Sequence, residues 1–253
     1  MHSRYYEINE NGNNIRCKVY YGDRPKAEKA VVFCTGFAGH RDNNACAGFA
    51  EKLLSKRKDA AVIVFNWPAH GDDVKKKPSM ADCMTYLDSV IRDAPDRFGA
   101  EELYCYATSF GGYLVLKYIS EHGDPFVKIA LRCPAVDMYD VLTKAIMRDG
   151  DAEKLEKGKD VQTGFDRKIT VSAAFLGELK EADLRKRDFL EESEKLLILH
   201  GTADEVVPFE AVRQFADDNL IEFIPVEKAD HRFQNPNHMS LATRDVMRFF
   251  GFS

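Results

Sequence analysis

The sequence predicts an α/β fold: one mainly parallel central sheet of about eight strands with helices on both faces. Three observations carry that expectation. Short apolar runs of strand length alternate with runs of helical period along most of the chain, as in strands joined by helical crossovers. Several of those short runs are apolar throughout, as in strands covered on both faces. Around Ser109 such a run passes into an apolar helix within one or two residues, which demands a sharp backbone reversal. A chain of 253 residues suits one such domain, and residues 1–253 read as a single unit.

Residues 5–9 and 15–20 read as two strands joined by a tight hairpin turn, which the Asn11-Gly12 step favours. Residues 30–34 form the continuous apolar run of a central strand, and a glycine-rich loop over 35–40 follows. Asp42 or Asn43 can cap a helix to about residue 56, with Cys46, Phe49, Ala50, Leu53 and Leu54 on its apolar face. Another buried strand spans 61–65 and leads into a loop over 66–73. Ser79 caps the next helix, which carries Met80, Cys83, Met84, Leu87, Val90 and Ile91. The run over 103–107 precedes Ser109 and its helix, which reaches about residue 122. A strand over 127–131 comes next.

From residue 134 to 188 the pattern changes. Charged residues dominate, no core-type strand stands out, and helices are expected over 137–147 and 172–179. This stretch reads as a lid or cap inserted over one end of the sheet, not as an independent domain. Alternation resumes with a strand over 195–200, a helix over 208–217, a strand over 221–226 and a helix over 238–250.

Composition narrows the function classes. A net charge of −5, with no basic block beyond Lys75, Lys76 and Lys77, argues against a nucleic-acid surface. The first residues lack the apolar core of a signal peptide, and no apolar run approaches membrane-spanning length. Cys17, Cys34, Cys46, Cys83, Cys105 and Cys133 include no CxxC pair, and several sit in strand-like runs. They read as buried free thiols of a reducing cytoplasm, with neither disulfides nor a zinc site expected.

The candidate chemistry begins at Ser109. Ala107 and Gly111 flank it two residues away on either side, so the backbones can approach at the reversal and the apex residue is strained. Small-x-Ser-x-Gly between a strand and a helix is the form of a nucleophile elbow. Alone, it reads equally well as an ordinary turn. Two partners follow at later strand ends, where a doubly wound sheet gathers its chemistry: Asp204 and then His231. Taken singly, Asp204 fits a turn residue and His231 a solvated loop histidine. Together, in the order Ser, Asp, His, they supply a nucleophile, a base to take its proton and a carboxylate to orient that base.

With these residues the chain resembles the α/β-hydrolase superfamily over nearly its full length. Within it, the likeness is to small serine esterases of the cinnamoyl- or feruloyl-esterase kind and to related serine peptidase-like hydrolases. Thr35-Gly36-Phe37 stands at that family's His-Gly-x position, with Thr35 replacing the usual histidine. The stretch Asn66-Trp67-Pro68-Ala69-His70-Gly71 is similar to its Gly-His-Gly-type loop, and Gly201-Thr202-Ala203-Asp204 with Val207-Pro208 completes the match. The resemblance implies a carboxylic ester hydrolase acting on small or medium acyl or aryl substrates through an acyl-enzyme, without metal or organic cofactor. It also implies an oxyanion hole made by the backbone N–H groups of Phe37 and Phe110. Thioesterase, acyltransferase or peptidase chemistry, and a silent ligand-binding role, are the alternatives. His40, Trp67, Tyr139, Leu142 and Phe175 are candidates to line a substrate pocket; packing against the core or pinning the lid is the competing reading. His70 reads as a residue that organises its loop by hydrogen bonds, and His200 as a satisfied structural residue at a strand end.

Overall fold

The chain opens with a hairpin in which β1 (His2–Glu10) pairs antiparallel with β2 (Asn13–Tyr21). Asn11 and Gly12 take φ of 50° and 77°, the positive values that a two-residue turn needs to match the strand twist. The structure, a computed structural model, describes residues 1–23 and 26–252. Then follow β3 (Lys29–Cys34), α1 (Asn44–Lys56), β4 (Ala60–Phe65) and α2 (Met80–Phe98). β5 (Glu102–Thr108), α3 (Phe110–His122) and β6 (Lys128–Arg132) complete the first half.

The stretch after β6 holds α4 (Met138–Val141), which runs into a π-helical turn (Leu142–Ile146), and then α5 (Asp151–Glu156). A small antiparallel pair, β7 (Val161–Thr163) and β8 (Ile169–Val171), precedes α6 (Ala173–Glu181). The chain ends with β9 (Leu196–Gly201), α7 (Phe209–Asp218), β10 (Glu222–Val226) and α8 (Pro236–Phe249).

Eight strands form one sheet in the order β1-β2-β4-β3-β5-β6-β9-β10. The pairs that β2 makes are antiparallel and the remaining five are parallel. Successive side chains point to opposite faces. Val31 and Phe33 of β3 pack in the layer of α1 and α8, whereas Ala30, Val32 and Cys34 pack in the layer of α2 and α3. Every residue of β4 is buried, so its unbroken apolar run is what a doubly covered strand requires.

Helix starts follow the expected caps. The side chains of Asn43, Ser79 and Ser172 accept the backbone N–H of Cys46, Asp82 and Phe175 at 3.0, 3.1 and 3.2 Å. Each bond satisfies a donor that the first helical turn otherwise leaves open. The stretch over 134–188 adds no strand to the main sheet, and the β7–β8 pair within it is an addition to the expected helices. α6 is fastened to the body: Tyr113 donates its hydroxyl to the Ala182 carbonyl at 2.9 Å, and Met80 its N–H to Glu178 at 2.9 Å. Among the described residues no helix is long and apolar enough to cross a membrane.

Two glycines make opposite predictions. A Cβ on Gly111 would lie 2.5 Å from the Cys34 carbonyl oxygen, whereas one on Gly48, exposed in α1, meets nothing within 4 Å. Gly111→Ala is therefore expected to destabilise by about 1–3 kcal/mol through overpacking. Gly48→Ala is expected to stabilise by about 0.5–1 kcal/mol, because alanine loses less backbone freedom on folding. Thermal melts of the two variants check this, and equal melting temperatures would contradict the close approach of α3 to β3.

Candidate active site

Ser109 is the single residue between β5 and α3, with φ 50° and ψ −118°. A non-glycine residue in that region costs on the order of 1–3 kcal/mol and persists only where its surroundings fix it. Here its N–H donates to the Arg132 carbonyl at 3.1 Å, and its carbonyl accepts from Tyr113 and Ala135 at 3.1 and 3.2 Å. Ala107, fully buried, and Gly111 leave the space in which that reversal closes.

His231 lies after β10. Its Nε2 is 3.0 Å from Ser109 Oγ, and its Nδ1 is 2.8 Å from Asp204 Oδ2. A carboxylate oxygen accepts, so Nδ1 carries the hydrogen and Nε2 is left to accept from the serine hydroxyl. Asp204 Oδ1 accepts the backbone N–H groups of Val206 and Val207 at 2.9 and 2.8 Å. Burial pushes the Asp204 carboxyl up, but hydrogen bonds from His200 and His231 outweigh it and hold the group well below the usual carboxylate range. The loops carrying Asp204 and His231 are tied to each other. Thr202 and Ala203 donate to the carbonyls of Val226 and Ala229, both at 3.0 Å, and Lys228 donates to Thr202 Oγ1 at 2.8 Å. A Cβ on Gly201 would sit 2.2 Å from the Ala229 oxygen, so only glycine permits this approach.

Phe110 opens α3, and its N–H is one of those that helix geometry leaves without an intrahelical partner. The loop after β3 runs alongside, since a Cβ on Gly36 would lie 3.2 Å from Ser109 Cβ. The rings of Phe37 and Phe110 meet edge to face at 5.7 Å. His70 packs on both, stacked on Phe110 at 5.9 Å and edge-on to Phe37 at 5.6 Å. It is fully buried and donates Nδ1–H to the Pro68 carbonyl at 2.8 Å. Burial lowers its pKa to about 4, against the opposing pull of that carbonyl. It therefore supports the two phenylalanines as a neutral ring, a role that its loop position in the sequence does not convey.

Several pocket candidates lie elsewhere. Trp67 is fully buried, donates its indole N–H to the Thr35 carbonyl at 2.9 Å and packs 4.6 Å from the Phe65 ring. It is a core residue, because its one polar atom is satisfied inside. Leu142 and Phe175 are buried as well, the latter edge-on to Phe110 at 6.4 Å. Tyr139 is half-buried beneath the Lys180 ammonium, 5.7 Å from its ring. His40 is half-buried, its Nδ1 accepting the Asp42 N–H at 3.1 Å. Burial, and next the charge of Arg167, lower its pKa.

Sequence reasoning missed two features here. A cavity of about 300 Å³ lies between α4, Arg185 and the loop of Asp204, lined by Val136, Val141, Val206, Val207, Ala211 and Val212. The turn between β7 and β8 reaches across both active-site loops. Asp166 pairs with Arg232 at 2.9 Å, the Arg232 guanidinium lies 5.0 Å from the Phe165 ring, and a Cβ on Gly164 would be 3.3 Å from Ala38 Cβ. One set of possible metal ligands occurs among the described residues: Cys133, His200 and Asp204, with ligand atoms within 4.8 Å of one another. Burial and the Asp204 charge raise the Cys133 thiol well above its ordinary range, which keeps it protonated behind the acid.

The family model for the alpha/beta hydrolase fold matches residues 29–156. Est1E from Butyrivibrio proteoclasticus, solved with ferulic acid bound, superposes with a TM-score of 0.78 at 17% identity over 97% of each chain. A soluble variant of monoglyceride lipase from Saccharomyces cerevisiae superposes with a TM-score of 0.77 at 11% identity, over 99% of this chain and 96% of that one. For a monoacylglycerol lipase from Paleococcus ferrophilus the values are 0.63 and 19%, over 99% and 100%. Identities this low carry the fold alone. Comparison with curated proteins returns no match.

The lowered His70 pKa sets a sign for stability against pH. The unfolded chain takes up this proton near 6.5 and the folded chain only near 4, so the neutral ring's contribution is lost as pH falls through that window. Each unit of difference is worth about 1.4 kcal/mol. His70→Phe, which keeps an aromatic ring there, is expected to show a shallower fall in melting temperature across the window. Parallel slopes would show that His70 protonates as readily folded as unfolded.

Proposed function

The chain belongs to the α/β-hydrolase fold family, and on that premise we propose that it is a serine hydrolase of carboxylic esters with small or medium acyl or aryl groups. The observation that carries the reading is the unbroken line from Ser109 Oγ through His231 to Asp204, at 3.0 and 2.8 Å. Ser109 attacks the ester carbonyl as His231 Nε2 takes its proton. Asp204, on the other ring nitrogen, fixes the tautomer and stabilises the imidazolium. The N–H groups of Phe37 and Phe110 hold the oxyanion of the tetrahedral intermediate. His231 then returns the proton to the departing alkoxide, which leaves Ser109 acylated. A water deprotonated by the same imidazole attacks the acyl carbon, and Ser109 regains its hydrogen as the acid leaves. These side chains and water balance every step.

The stretch over 134–188 serves in this reading as the lid. Support comes from the β7–β8 turn, which touches Ala38 beside the oxyanion loop and Arg232 beside the base. The Asp166 and Arg232 side chains are 84% and 42% exposed, so their attraction is worth under about 1 kcal/mol. The six cysteines, all free and buried, fit the reducing cytoplasm in which we place the enzyme.

Turnover of p-nitrophenyl esters tests the chemistry. Ser109→Ala is expected to fold normally and lose several orders of magnitude in kcat. Asp204→Asn is expected to lose far more than Glu205→Gln or Asp230→Asn, because Asp204 alone faces the imidazole. Near-full activity in pure Ser109→Ala would overturn the proposal. Asp166→Asn tests the lid separately. It is expected to change kcat/KM for bulky aryl esters severalfold while leaving p-nitrophenyl acetate within about twofold. Equal change on both substrates would contradict a lid role.

A further inference from the structure

His200 is the penultimate residue of β9 and is fully buried. Its Nε2 lies 3.1 Å from Asp204 Oδ2 and 3.1 Å from the Val207 carbonyl oxygen. Both neighbours are acceptors, so Nε2 carries the hydrogen: it donates to the Val207 carbonyl and faces Asp204 Oδ2 at the same distance. The rings of Phe209 and Phe223 lie 5.7 and 6.4 Å away, one edge-on and one stacked, and fix the plane of the imidazole. On the opposite side Nδ1 is buried and has no partner among the described residues. A buried polar atom left unpaired costs about 1–3 kcal/mol. Leucine or methionine would occupy this apolar site without that cost, so packing alone does not account for a histidine here.

What histidine adds is an N–H that the Val207 carbonyl accepts and that faces Asp204 Oδ2. The two carboxylate oxygens are held differently: Oδ1 by the backbone of Val206 and Val207, Oδ2 by two imidazoles. We propose that His200 is a positioning residue, holding Asp204 Oδ2 in line with His231 Nδ1 from the side opposite Ser109's base. The proposal rests on the triad reading above. Without His200 the carboxylate is anchored through Oδ1 alone apart from His231, and it can pivot about that anchor toward the protonated Cys133 thiol behind it. A small pivot suffices, because a misplacement of about 1 Å can cost roughly 100-fold in rate.

The test compares His200→Leu, which removes the donor, with His200→Gln, whose amide can restore it, on p-nitrophenyl acetate. His200→Leu is expected to lower kcat about 10- to 100-fold with KM within about twofold, and His200→Gln to recover most of the loss. In an Asp204→Ala background His200→Leu is expected to change the residual turnover by less than about twofold, since a residue acting through Asp204 has nothing left to position. If His200→Leu does not fold, His200→Met fills the same space without a donor and carries the same comparison. A folded variant with unchanged kcat would overturn the proposal. So would a loss that His200→Gln does not recover, or one of equal size in the Asp204→Ala background. Ser109→Ala, measured alongside, separates the two claims: its retention of activity sinks the triad reading, whereas its inactivity beside an unimpaired His200→Leu sinks only this one.

Discussion

At Ser109 the chain passes from strand to helix through one residue with a positive φ, and the rest of the candidate site is arranged around that reversal. The strain there is local, but what holds it is not. The amide and carbonyl of Ser109 bond to Arg132 at the end of β6 and to Ala135 just beyond it, while α3 begins against the last carbonyls of β3. Three adjacent parallel strands thus fix one backbone angle. Once it is fixed, the side chain stands above the sheet, and the N–H of Phe110 follows at the open end of a helix.

The other two members reach Ser109 because the neighbouring pair of strands imposes a second close approach. Gly201 lies against Ala229, and the backbone bonds around that contact bind the Asp204 loop to the His231 loop. A long, flexible route from Asp204 to His231 would leave a buried carboxylate short of a hydrogen-bond donor, which burial penalises severely. Two backbone donors and two imidazoles hold that carboxylate well below its usual range against the effect of burial. The same loop forms one wall of the 300 Å³ cavity, so Asp204 stands between an apolar space and the His231 imidazole.

Sequence reading does best where a single constraint dominates. β3, β4 and β5 are legible because strands covered on both faces need unbroken apolar runs, and α1 is legible because Asn43 caps it and its apolar face has one period. The elbow is legible for a steric reason, the small residues that the reversal requires on either side. Loop side chains obey no such period. Trp67 could as readily face a pocket as the core, and only the position of the Thr35 carbonyl decides for the core. β7 and β8 are three residues each within a charged stretch, too short for alternation to register. His200 sits at a strand end four residues before Asp204, and sequence spacing does not reveal that the intervening turn brings its ring onto the carboxylate. The cavity is invisible for a related reason, since its walls come from helices and loops about 70 residues apart.

The central claim is that Ser109 is a nucleophile activated by His231. Its most direct test is peptide-mapped mass spectrometry of the protein after brief treatment with a fluorophosphonate. One phosphonyl adduct is expected, on Ser109, formed by the native protein and formed far more slowly by a folded His231→Ala variant. An unlabelled native protein, or a Ser109 adduct that forms equally fast without His231, would contradict it.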